Sequence, residues 1–136
     1  MATNTWSVDG FQVSNLTPNS GTVQCNAIDT AITATGSTAA GATALVSSLN
    51  IIGTCVTTAG VRLPAVVAPG AVVKVINTTT GTPKVYPPTG GKVNGTTADT
   101  ADATVVAAVS SGVPGVGTWV QDSTLTGAVP NYLRIG

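Results

Sequence analysis

Histidine and glutamate are absent from this chain of 136 residues, and charge of either sign is scarce. Lys plus Arg number 5, and so do the acids, every one of them Asp, for a formal net charge of zero. Each absence removes a class of chemistry. Without His, neither a serine nor a cysteine nucleophile has its usual base. Two cysteines, Cys25 and Cys55, are too few for a zinc site when no His can join them. Aromatic residues make up 4% of the chain, so a core has to be built from Val, Ala, Ile and Leu.

The scarcity of charge has consequences of its own. Charged residues are 7% of the chain, against roughly 25% in an ordinary soluble domain. A neutral, weakly charged surface gives a free monomer little electrostatic protection against association. The chain is therefore expected to work inside an assembly. The cations Arg62, Lys74, Lys84, Lys92 and Arg134 are spread along the sequence and make no patch. Nucleic-acid binding, which needs clustered Lys and Arg to replace counterions, is not expected.

Residues 30–61 carry no charge at all, yet they are rich in Thr, Ser, Gly and Asn. No window approaches the roughly 20 apolar residues of a membrane-spanning helix, so no membrane partner is expected. The start, MATNTWSVDG, has neither a basic nor an apolar signal region. The expectation is synthesis in a cytoplasm without export by a standard signal. Cys25 and Cys55 then read as reduced, partly buried thiols. Both flank predicted strands, so a bridge between them stays open.

What is present is punctuation. Between residues 61 and 95, short β-branched runs alternate with Pro, Gly and Asn: VRLPAVVAPG AVVKVINTTT GTPKVYPPTG GKVNG. Each run is too short for a helix. Residues 71–77 give the clearest strand, with Val73, Val75 and Asn77 on one face and Val72, Lys74 and Ile76 on the other. Pro69-Gly70 suits the centre of a type II turn. Further strands are predicted at 42–49, 51–57, 61–63, 84–86, 103–109, 117–121 and 132–135, the last as an edge. Asn50 reads as a separator and residues 30–41 as an extended connector. An Ala-rich helix over 39–49 is the competitor to the first strand, disfavoured by Gly41, two Thr and Val46. Residues 1–36 read as an extended arm whose Trp6-Ser7-Val8 and Phe11-Gln12-Val13 alternate as short strands do. A disordered tail rarely holds Trp and Phe so close together, so the arm is expected to order against something.

The fold expected is all-β: a small β-sandwich or jelly-roll-like barrel of about eight short strands over residues 37–136, with an extended N-terminal arm over 1–36. No repeat of 20–50 residues is apparent.

Candidate sites are few. Asp99 and Asp102 are three residues apart in a Thr/Ala-rich loop. Paired carboxylates can hydrolyse glycosides when they converge across a cleft, but a solvated loop or Asx turn is the ordinary reading of this spacing. A weak calcium site is the other use of such a pair. Gly90-Gly91 lacks the Lys-Ser/Thr of a phosphate loop. Tyr86 and Trp119 could stack on a sugar ring, but each lies in a predicted strand among apolar neighbours. Together with Val73 and Val75 they read as core or subunit interface. No catalytic, metal or cofactor-binding residue is predicted, and no enzyme activity.

The order Val61-x-Leu63-Pro64, Gly70, Val73-x-Val75-x-Asn77, Val85-Tyr86-Pro87, Gly90, Asn94-Gly95 and Trp119 resembles a module of small structural proteins of tailed bacteriophages. Among these are capsid decoration (cement) proteins and head or tail fibre segments. The resemblance covers residues 42–121. It implies a virion component on the outer capsid surface, a homotrimer with the major capsid protein as partner, that stabilises the mature capsid. It transfers no catalytic residue. The arm lies outside it, and Trp6, Val8, Phe11 and Val13 are the expected capsid contacts, as aromatic and apolar anchors. The alternative is a receptor- or glycan-binding module of a fibre or tail tip, using loops such as 96–102 and 112–117.

Overall fold

The computed structural model describes residues 6–8, 11–13, 28–65, 69–102, 106–122 and 130–136. These form ten strands, and among the described residues there is no helix. The strands are β1 (Trp6–Val8), β2 (Phe11–Val13), β3 (Ile28–Ala34), β4 (Thr43–Ala44), β5 (Leu49–Cys55), β6 (Gly60–Arg62), β7 (Val72–Asn77), β8 (Lys84–Tyr86), β9 (Gly115–Gln121) and β10 (Tyr132–Arg134).

From β3 to β9 the chain alternates between two sheets. Strands β3, β5, β7 and β9 go to a five-stranded sheet, which β10 completes, and β4, β6 and β8 to a three-stranded one. The five-stranded order is β10-β9-β7-β5-β3. Strands β3, β5 and β7 pair in parallel, as do β4, β6 and β8. The chain thus makes three successive turns of a coil, β3–β4, β5–β6 and β7–β8, each laid beside the last. Only then does it reverse: β9 pairs antiparallel with β7, and β10 closes the edge antiparallel to β9. Apart from these sheets, β1 and β2 form a two-stranded antiparallel pair.

Local chemistry explains the corners. Pro64 follows β6 closely, and Pro87 and Pro88 follow β8 directly, where a missing N–H stops a ladder. Gly70 has φ +82°, as the third position of a type II turn requires. Its N–H donates to Gln121 O at 2.9 Å, tying the turn to the end of β9. Gly91 N–H donates to Pro88 O at 2.7 Å and closes the next reversal.

One apolar cluster draws on both sheets. Ile32, Ile52, Val73, Val75, Trp119 and Tyr132 come from the larger sheet, and Val61 and Val85 from the smaller. Leu45, Leu63, Val93 and Val106 fill in from the connections. A second, small cluster joins Tyr86 to Ala39 and Ala42.

The all-β expectation holds, and several strands fall where alternation placed them: β6, β7, β8, β9 and β10, the last at a sheet edge. Four local expectations change. Residues 42–48 give only Thr43–Ala44 as strand, and Leu49 opens β5, because the chain leaves the small sheet at Leu45, which is buried, and crosses over. Asn50 is not a separator; it lies inside β5 and is fully buried. Residues 30–41 are not all connector, because Ile28–Ala34 pairs with β5 as the outer strand of the large sheet. That strand lies within the stretch read as arm. Of the strand expected at 103–109, the described residues 106–109 are not in a strand, although Val106 is buried. The coil also gives the chain a structural repetition with no sequence period. Its large-sheet strands begin at 28, 49 and 72, and the connections differ in length.

Candidate functional site

The surroundings of the chemically capable groups decide what they can do. Asp102 was expected in a solvated loop. It is instead 4% exposed, and its partners are built into the fold. Trp119 Nε1–H donates to its Oδ2 at 3.0 Å, and Asn94 Nδ2–H to its Oδ1 at 3.4 Å. Arg134 Nη1 lies 3.6 Å from Oδ2, and the guanidinium carbon sits 5.2 Å from the centroid of the Trp119 ring. Asn94 Oδ1 also accepts the Arg134 backbone N–H at 2.8 Å. A buried carboxylate held by an indole, an amide and a cation is a structural junction. It locks β10, β9 and the loop before residue 103 together.

Asp99 does not converge with Asp102. Its Oδ1 accepts the Gly90 N–H at 2.7 Å, and its own N–H donates to Gly91 O at 3.0 Å. The pair therefore pins the loop onto the Gly90–Gly91 turn and onto the core separately. Among the described residues no three His, Cys, Asp or Glu side chains gather as metal ligands.

Several other buried or half-buried polar groups are similarly engaged. Asn77 is fully buried; its Nδ2 donates to Gly81 O at 2.7 Å and Ala107 O at 2.8 Å, and its Oδ1 accepts from Thr79 N and Oγ1. Tyr132 OH donates to Pro64 O at 2.9 Å, and burial pushes its phenol well above the ordinary tyrosine range. Tyr86 OH donates to Ser37 O at 2.5 Å, with its ring over Gly60. Burial likewise raises the Cys55 thiol, which sits half-buried beside Gly81. Cys25 lies outside the described residues. Val73, Val75, Tyr86 and Trp119 are all buried within the single chain, so neither aromatic ring is free to stack on a sugar.

What the described residues do present is a surface. The inner face of the five-stranded sheet carries the core, and register fixes the rows of its outer face. One row runs Leu133, Val120, Val72. A second runs Thr118, Lys74, Leu49, Ile28, with Ile135 joined to Thr118 through its backbone N–H. A third runs Val116, Ile76, Ile51. Lys74 is the only charged residue in these rows. Val72, Val116 and Leu133 are 43%, 44% and 42% exposed, and Ile28 and Ile135 are more so. Parallel strands are ordinarily covered on both faces, because their side chains are apolar on both. An outer face of this composition is a surface built to be covered.

The four residues expected to meet a capsid fall in β1 and β2. The register sets Trp6 opposite Val13 and Val8 opposite Phe11, with Ser7 opposite Gln12. Apolar residues thus occupy every position of one face of the hairpin, and polar residues the other. Sequence alternation suggested these two strands; nothing in the sequence indicated the outer sheet face, because its rows join residues from five separate strands. Among the described residues, no helix is long and apolar enough to cross a membrane. Comparison with known proteins finds no matching family model, no similar curated protein and no similar solved structure.

Proposed function

We propose that this chain is a non-enzymatic structural component of a tailed-bacteriophage virion, a capsid decoration protein that binds the outside of the mature capsid and stabilises it. The observation that carries the reading is the apolar outer face of the five-stranded sheet, on a chain whose buried polar groups serve its own fold. The sequence resemblance over residues 42–121 points the same way. In this reading the two main sheets are the walls of a small β-sandwich. Three copies gather around a local threefold axis of the shell and meet the major capsid protein. The hairpin carrying Trp6, Val8, Phe11 and Val13 reaches across to neighbouring capsid subunits.

The mechanism is linkage. A protein that binds the expanded lattice and not its precursor stabilises the expanded state by mass action. A copy that spans a boundary between subunits also ties them at high effective concentration. The test is the copy number per purified particle, followed by rebinding to particles stripped of the chain. Hundreds of copies and saturable rebinding are expected, and both should fall when residues 1–21 are deleted. A handful of copies per particle, or rebinding unchanged by the deletion, overturns the reading or the role of the arm respectively.

A further inference from the structure

Two apolar surfaces of this chain lack a described cover: the outer face of the five-stranded sheet and the apolar face of the β1–β2 hairpin. A two-stranded hairpin of three-residue strands is marginal in water and needs a surface to pack on. Charge selects between candidate covers. A second copy stacked on the sheet face would bring Lys74 against Lys74, with no carboxylate in either set of rows. The hairpin offers the opposite sign, because Asp9 falls between β1 and β2, beside the apolar positions of Val8 and Phe11.

Connectivity selects the source. Strand β3 begins at Ile28, which is itself in the middle row of the sheet face, so the arm departs from the rim of the surface. Residues 14–27 join it to β2. Extended, that segment reaches about 45 Å, and five strands at their usual spacing are only about 20 Å across. The hairpin can return over any part of its own sheet, and the tether keeps its effective concentration there high.

We infer that the β1–β2 hairpin folds back onto the outer face of its own chain's five-stranded sheet, with Asp9 beside Lys74. In the free protein the two apolar surfaces then cover each other, which keeps a chain of zero net charge from self-associating before it meets a partner. If the capsid reading is right, this contact opens on the particle and releases the hairpin. The contact itself does not depend on that reading and is tested without particles.

The experiment is zero-length carbodiimide coupling of the dilute full-length chain, using an equal mixture of light and uniformly heavy-labelled protein. Mass spectrometry of the peptides should find Asp9 joined to Lys74, with both peptides carrying the same label, and little coupling of Asp9 to Lys84 or Lys92. Equal coupling to all three lysines, or none to Lys74, overturns the inference. So does coupling that mixes labels, which would mean exchange of hairpins between copies. A second readout is binding of an apolar dye. The full-length double variant Trp6→Ser, Phe11→Ser should bind severalfold more dye with an unchanged β-sheet spectrum; unchanged dye binding also overturns the docking. Failure here leaves the capsid proposal to be decided by its own copy-number and rebinding measurements.

Discussion

The indole N–H of Trp119 donates to the Asp102 carboxylate at 3.0 Å, joining the middle of β9 to a loop 17 residues earlier in the chain. Both side chains are buried, and the Arg134 guanidinium covers the ring and faces the carboxylate. Asp102→Ala should leave an unpaired indole N–H and remove the buried carboxylate that faces Arg134, at a cost of about 3 kcal/mol. Asp102→Asn keeps an oxygen for the indole and loses only the charge, so it should cost about half as much. Urea unfolding of both variants checks the order; equal losses would show that the charge alone matters.

Trp119 also fixes the residues before it. Its ring folds back over Gly117, two positions earlier on the same face, and a β-carbon at Gly117 would collide with the ring atoms. Gly115 likewise lies against the Ala107 backbone. Gly117→Ala must push the indole or the strand aside, which should cost about 3 kcal/mol by overpacking. Gly70→Ala is the control. Its φ of +82° strains a side chain, but nothing lies within 4 Å of the added methyl, and the cost should be about 1 kcal/mol. Thermal unfolding of the two variants should separate clearly in midpoint, with Gly117→Ala lower.

These particulars show what the sequence made legible. Strands β7 and β9 read directly, because Val73/Val75 and Trp119 alternate with less buried neighbours, and β8 because Pro87 stops its short run. Parallel pairing did not read, because Leu49 opposite Lys74, and Val61 opposite Val85, are decided by crossings of unequal length. Nor did the burial of Asp102, since its partners Trp119, Asn94 and Arg134 are scattered along the chain. A signal was available in Gly117-x-Trp119, where a missing side chain on the same face leaves room for a large ring. Strand β3 escaped because Ala31 takes φ +59° and breaks the alternation, a bulge that also blunts this open edge against strand addition.

Asn77 is an inward-facing polar residue in the strand with the cleanest alternation, and its four bonds explain it. Its amide holds the carbonyls of Gly81 and Ala107 while its oxygen accepts from Thr79. Asn77→Asp removes the donor and sets a carboxylate against two carbonyls, so a loss of about 3 kcal/mol or more is expected at neutral pH. Asn50, also fully buried, donates to Ser47 O and Lys74 O, but its oxygen has no partner among the described residues. Asn50→Asp loses the same kind of donor and buries a carboxylate that no described group donates to, whereas the carboxylate of Asn77→Asp still accepts from Thr79 N–H and Oγ1. Denaturant midpoints should rank Asn50→Asp below Asn77→Asp; the reverse order would mean that the two bonds from Thr79 do not offset the buried charge.

Alkaline unfolding isolates Tyr132. Its phenol is buried and donates to Pro64 O, and burial disfavours the phenolate, which raises the folded pKa above the unfolded one. The sign follows from linkage: the folded state binds the proton more tightly, so this contribution is complete below the unfolded value of about 10 and is lost as pH rises beyond it. Tyr132→Phe keeps the ring in the core and removes the titration. At neutral pH it should cost about 1 kcal/mol for the lost bond to Pro64, whose carbonyl then lacks this donor. Above pH 10 the ranking should narrow and then invert, because the wild type must release a proton from a buried site to follow the solvent while the variant does not. Stability measured by denaturant at pH 7 and again above pH 10 checks this directly. A constant difference between wild type and variant across that range would mean that the Tyr132 phenol ionises as readily folded as unfolded.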